Sequence, residues 1–205
     1  MLGFYLLLFY CNLEAKIKAM ARTESNMLPL GTVSPDFKLI NVVTNKYVSL
    51  IDLYGKHGLV VMFICNHCPF VKHVMEEVIR VANDYRVQGF GFVGISSNDI
   101  EKYPQDSPEE MALLAEKDHY PFPYLYDETQ EVAKAYDAAC TPDFYVFDDE
   151  KKLVYRGQLD NSRPGNSIQV TGRDLREALD NLLSNSPQRK DQKPSLGCNI
   201  KWKEK

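Results

Sequence analysis

Leu59 to Ile64 is an unbroken run of six apolar residues, and it predicts a strand covered on both faces. Phe70, Val71, Val74, Val78 and Val81 then recur at helical spacing, which predicts a helix running to about Tyr85. Upstream, Pro35 to Ile40 alternates like a strand, Asn45-Lys46 supplies a turn, and Tyr47 to Leu50 returns, giving an N-terminal hairpin. Downstream, Gly89 to Ser96 reads as the next strand. Ser107-Pro108-Glu109-Glu110 opens a helix with a cap residue, a first-position proline and acids in the first turn. Tyr124 to Tyr126 is a short strand and Glu131 to Ala138 a short helix. Phe144 to Phe147 and Leu153 to Arg156 form a hairpin around Asp148 to Lys151. Arg173 to Leu183 is amphipathic, with Leu175, Ala178, Leu179 and Leu182 on one face. The order ββ-β-α-β-α-β-α-ββ-α indicates an α/β sandwich with helices on both faces of a central sheet.

Two ends fall outside this pattern. Leu2 to Leu13 is apolar but too short to span a bilayer as a helix. It lacks the basic n-region and small-residue cleavage site of a signal peptide, and Met20 is a plausible start. Residues 1–19 are therefore expected to be an extension outside the working protein. A cleaved signal and a weak membrane anchor stay open as alternatives. The domain is assigned to residues 20–186, and 187–205 to a polar C-terminal tail containing Cys198. A cytoplasmic location is expected, with export or membrane contact only if the extension acts.

The composition, 44% hydrophobic and 25% charged over 205 residues, suits one globular domain. The net charge of −4 and the lack of a Lys/Arg-rich run exclude a nucleic-acid partner. Five cysteines, Cys11, Cys65, Cys68, Cys140 and Cys198, are too few and too scattered for a disulfide scaffold.

Cys65-Asn66-His67-Cys68 carries the candidate chemistry. A C-x-x-C between a strand and a helix places a thiol where helix N–H groups favour the thiolate, with a second sulfur near enough to close a disulfide. On this reading Cys65 sits at the helix mouth as nucleophile and Cys68 resolves. Half of a zinc site is the alternative, with His73, Cys140 or Cys198 as further ligands.

The chain resembles the redoxin/peroxiredoxin-like (AhpC/TSA-like) branch of the thioredoxin superfamily. The resemblance rests on GTVSPDF (31–37), VSL (48–50) and CTPDF (140–144). FICNHCPFVKH (63–73), GISSND (94–99), YPQDSPEEM (103–111), QLDNSRPGN (158–166) and SLGCNIKWK (195–203) further resemble a bacterial-type thioredoxin/peroxiredoxin-like group. The resemblance implies a thioredoxin-like fold, with a central mixed sheet, helices on both faces and an N-terminal β-hairpin extension. It implies a cis Pro142 facing the cysteines, with Thr141 beside the sulfurs and able to pair with a substrate peptide. His67 matches the position of a histidine that tunes the thiolate in disulfide isomerases. Arg163 is the candidate for the arginine with which peroxiredoxins stabilise thiolate and peroxide. Cys140 and Cys198 are possible extra redox thiols.

Departures bear on the reaction. Ile64 replaces the tryptophan before the first thioredoxin cysteine, and Leu59 replaces its buried acid. Val61 and Cys65 stand where P-x-x-x-T-x-x-C, counted back from Cys68, has Pro and Thr. The expected activity is thiol–disulfide exchange; a thiol-dependent peroxidase and a non-catalytic zinc- or partner-binding module are the alternatives. No cofactor is expected. The expected partners are a protein or small-molecule disulfide or peroxide, and a thioredoxin- or glutathione-type reductant.

Overall fold

The computed structural model describes residues 22–204, so residues 1–19 and the expectations attached to them lie outside the described residues. The continuous apolar run is strand β4, Gly58–Phe63, buried along its whole length. It sits between β5, Phe90–Ser96, which is parallel to it, and β8, Asp143–Phe147, which is antiparallel; Val61 pairs Val93 on one side and Tyr145 on the other. Both edges of β4 are hydrogen-bonded and both faces are covered, so every position tolerates an apolar side chain, which is why the run shows no alternation.

The sheet grows outward from this centre. The predicted hairpin is β2, Lys38–Asn41, with β3, Lys46–Ser49, and its turn holds Asn45 at φ 54°, a left-handed conformation asparagine tolerates. With β6, Tyr124–Tyr126, and β9, Leu153–Gly157, the strand order is β3-β2-β6-β5-β4-β8-β9. Helix α1, Pro69–Arg86, buries Phe70, Val71, Val74, Val78 and Val81 as the spacing predicts. It shares one face of the sheet with α2, Pro108–Lys117, and α4, Arg173–Leu183. The short α3, Glu131–Ala135, covers the other face with Tyr136 and Leu53. This is a mixed sheet with helices on both faces, the α/β sandwich the pattern indicated in the thioredoxin-like form the resemblance implied.

A second sheet has three strands that periodicity missed. These are β1, Arg22–Glu24, β7, Cys140–Thr141, and β10, Leu196–Asn199, in the order β1-β10-β7. Cys198 pairs Arg22 on one side and Thr141 on the other. The boundary expected at residue 186 is therefore too early: Ser195, Cys198 and Ile200 are buried. Ile200 donates to the Ala139 carbonyl at 3.1 Å and Lys201 to Asn98 Oδ1 at 2.8 Å. Among the described residues no helix is long and apolar enough to cross a membrane.

Candidate thiol redox site

The helix after the C-x-x-C begins at Pro69, so Cys68 is its N-cap and Cys65 lies three residues back in the loop leaving β4. This corrects the expectation that Cys65 occupies the helix mouth. Proline is favoured at the first helical position because it lacks the N–H that would go unsatisfied there, and Pro69 shifts the helix start past Cys68. The helix N–H groups and dipole therefore act on Cys68.

Cys65, Cys68, Cys140 and Cys198 are buried free thiols. Cys68 Sγ is 2.8 Å from Cys198 Sγ and 3.2 Å from the Thr141 carbonyl, and Cys65 Sγ is 3.4 Å from Thr141 Oγ1. The Thr141–Pro142 peptide bond is cis, and Thr141 touches both sulfurs of the C-x-x-C. Burial opposes ionisation of Cys68. Hydrogen bonds from the Cys198 and Cys65 thiols and from the Val71 and Cys198 N–H groups outweigh it, lowering the Cys68 pKa to about 2. Its neighbours move the other way. Burial, donation to Cys68 and the Asp106 charge push Cys65 up against the pull of the Thr141 hydroxyl; donation to Cys68 and burial push Cys198 up. Within the cluster, ionisation is thus easiest at Cys68, which as a thiol donates to the Thr141 carbonyl.

Asp106, fully buried, organises the loop from below. Its Oδ1 accepts from the Asn66 and His67 N–H groups at 2.9 and 3.2 Å, and its Oδ2 accepts from Asn98 Nδ2 at 2.8 Å and His67 Nδ1 at 2.5 Å. His67 also stacks on Tyr103, with ring centroids 5.1 Å apart, and its Nδ1 lies 3.9 Å from Cys65 Sγ. His67 is thus held against Cys65 by Asp106 and Tyr103, not against Cys68. Sequence reasoning did not single out Asp106 or Asn98, although both fall within motifs that carried the resemblance.

The other candidates disperse. Arg163 donates to the Asp160 and Ser162 carbonyls at 2.6 and 2.7 Å and to Gln158 Oε1 at 2.5 Å. Its guanidinium braces its own loop, which replaces the thiolate-stabilising role expected of it. His73 Nε2 bonds to Ser162 Oγ at 2.8 Å, so it does not join the C-x-x-C as a ligand. Burial and the Asp143 charge raise the pKa of Cys140, whose sulfur faces the Pro142 carbonyl at 3.8 Å; it is a packed thiol. Among the described residues, the group that converges as metal ligands would is Cys65, His67 and Asp106, with donor atoms within 4.8 Å of one another. Four hydrogen bonds already occupy both Asp106 oxygens, so this carboxylate serves the loop.

Residues 30–156 match the model of the AhpC/TSA family. The chain belongs to that family. A crystal structure of an uncharacterized conserved protein from Geobacillus kaustophilus is 61% identical, with a TM-score of 0.90 over 91% of this chain and 99% of that one. The thioredoxin domain of a thiol-disulfide oxidoreductase from Bacteroides vulgatus is 21% identical, with a TM-score of 0.56 over 74% of this chain and 99% of that one. A peroxidoxin from Mycobacterium tuberculosis is 18% identical, with a TM-score of 0.58 over 77% and 97%. These two distant likenesses establish the thioredoxin fold. No protein of curated function matches the chain significantly. This AhpC/TSA family member is a thioredoxin-fold redoxin, and its fold brings the C-x-x-C, Thr141 and Cys198 into one cluster.

Proposed function

We propose that the protein is a thiol–disulfide oxidoreductase in which Cys68 is the attacking thiolate and Cys65 closes the Cys65–Cys68 disulfide. The observation that carries the reading is the N-cap position of Cys68, 2.8 Å from the Cys198 sulfur and the easiest of the clustered thiols to ionise. The thiolate is the nucleophile in disulfide exchange, so attack begins where ionisation is easiest. Departure of the first product leaves a mixed disulfide on Cys68, and Cys65, one residue step before the loop that Asp106 pins, resolves it. A dithiol or glutathione-type donor returns the electrons. Exchange is favoured over peroxide reduction because Arg163 is committed to its loop and the Pro and Thr of the peroxidase signature are replaced by Val61 and Cys65.

Thiolate absorbance at 240 nm tests the assignment. The wild-type protein keeps one thiolate at pH 5, where a free thiol with a pKa of about 8.5 is protonated. Cys68→Ser removes that thiolate and abolishes exchange with a small disulfide, whereas Cys65→Ser keeps the thiolate and loses the Cys65–Cys68 bridge. A Cys68→Ser protein that exchanges at the wild-type rate overturns the reading.

A further inference from the structure

Thr141 precedes the cis proline beside the sulfurs, on the edge where a substrate peptide was expected to pair. That edge is taken. Strand β10 lies antiparallel along it, with Cys198 opposite Thr141 and Asn199 opposite Cys140. Gly197 makes the approach possible: a Cβ there would sit 1.9 Å from the Thr141 carbonyl oxygen and 2.6 Å from its carbon, so only glycine lets the strand lie this close. The strand is clamped at both ends. Ser195 Oγ donates to the Pro142 carbonyl at 2.5 Å, Ile200 N–H donates to Ala139, and Lys203 N–H to Gln130 Oε1 at 2.9 Å. The clamp delivers the Cys198 sulfur to 2.8 Å from Cys68. An S–S bond needs those atoms to close by only about 0.8 Å.

We propose that β10 is a built-in substitute for a substrate peptide, and that Cys198 is a second resolving thiol for Cys68. The inference rests on the exchange activity proposed above and adds its substrate class, low-molecular-weight disulfides. Extended polypeptides are shut out because their docking edge is filled. A groove of about 340 Å³ lies on the loop side of the C-x-x-C, lined by Asn66, His67, Lys72 and Gln105, among others, and a small disulfide reaches the buried Cys68 sulfur only by displacing that loop. In the reaction the Cys68 thiolate attacks R–S–S–R, forming Cys68–S–S–R and releasing RS⁻. The Cys198 thiol gives its proton to RS⁻, its sulfur attacks Cys68, and the second RS⁻ leaves, taking a proton from solvent. Two protein thiols become one disulfide, and R–S–S–R becomes two thiols. Cys65, once deprotonated, then attacks Cys68 and frees Cys198, an exchange with no net electron transfer that moves the bridge to Cys65–Cys68.

The test uses the full chain and oxidised glutathione. In Cys65→Ser, non-reducing peptide mapping shows a Cys68–Cys198 bridge and only a transient glutathione adduct on Cys68. In Cys65→Ser/Cys198→Ser the adduct persists about a hundredfold longer or more, the advantage that effective concentration gives an intramolecular thiol. Equal adduct lifetimes in the two variants overturn the role of Cys198 while leaving exchange at Cys68 intact. Absence of any adduct in both overturns the exchange reading itself, and the relay with it. The substrate class is read separately. Wild-type protein reduces oxidised glutathione far faster than insulin, and Gly197→Ala, which forces β10 off Thr141, shifts that ratio toward insulin. Insulin reduction by the wild type at the glutathione rate overturns the exclusion.

Discussion

Asp143 follows the cis proline and is fully buried, on the strand that pairs with β4. Tyr145 donates to its Oδ2 at 2.9 Å. Burial raises its pKa from near 3.8 to about 7, against the pull of the Tyr145 and Ser25 hydroxyls and the Arg156 charge. An acid whose folded pKa is raised contributes its stability fully below the unfolded value. That contribution is lost as pH climbs toward about 7, because only the unfolded chain can then ionise freely. The interval corresponds to roughly 4 kcal/mol, an upper figure for a group that can relax when charged. Asp143→Asn keeps an acceptor for Tyr145 and removes the titration. Denaturant melts are expected to show the variant more stable than wild type at pH 8, with the gap closing by pH 4. A gap that does not change with pH would mean that Asp143 is ionised in the fold or already protonated throughout. The same residue shows why local reading stops short. Asp143 sits in CTPDF, whose Pro142 is cis as the resemblance implies, but nothing in those letters says that the acid points into the core.

Elements held by their own periodicity were legible and elements held by distant backbone were not. Strand β4 and helix α1 announce themselves because a six-residue apolar run and a 3-4 spacing are local signatures of burial. Ser107 caps α2 as read, accepting from the Glu110 N–H at 3.4 Å. Cys65 is expected at the mouth of α1, although Pro69 carries the contrary information, since a first-position proline marks the helix as beginning after Cys68. Strand β10 has no such signature. Leu196-Gly197-Cys198-Asn199 holds a glycine in the middle, and its partners lie nearly 60 and about 175 residues away by register along the chain. Asp106 is invisible for the same reason: it caps the C-x-x-C loop from 40 residues downstream. Its removal tests the loop as an element. Asp106→Ala leaves the Asn66 and His67 N–H groups, the His67 ring and Asn98 without their acceptor. The expected cost is roughly 3–5 kcal/mol, as for removing one partner from a buried charged network. Thermal melting and faster alkylation of Cys65 check it; an unchanged melting temperature would show that α1 alone fixes the loop.

The two ends of the chain make opposite predictions for the molecule as a whole. A chain beginning at Met20 keeps every described strand, including β1 at Arg22–Glu24. It is expected to match the full chain in melting temperature and exchange rate, and a large fall in either would show that the first 19 residues pack on the domain. Ending the chain at Pro194 removes β10, and with it the strand that joins β1 to β7. The Thr141 edge then loses its partner, and the burial of Ile200 is lost, a contribution of about 1.5–3 kcal/mol for such a side chain. Cys68 loses the Cys198 thiol and N–H that hold its thiolate. Three consequences should therefore travel together in the shortened protein: a lower melting temperature, a 240 nm transition moved toward ordinary thiol pH, and faster reduction of insulin relative to glutathione. Stability lost without the spectroscopic change would make β10 a structural strand alone. The spectroscopic change without a gain on insulin would separate its hold on the thiolate from its hold on the docking edge.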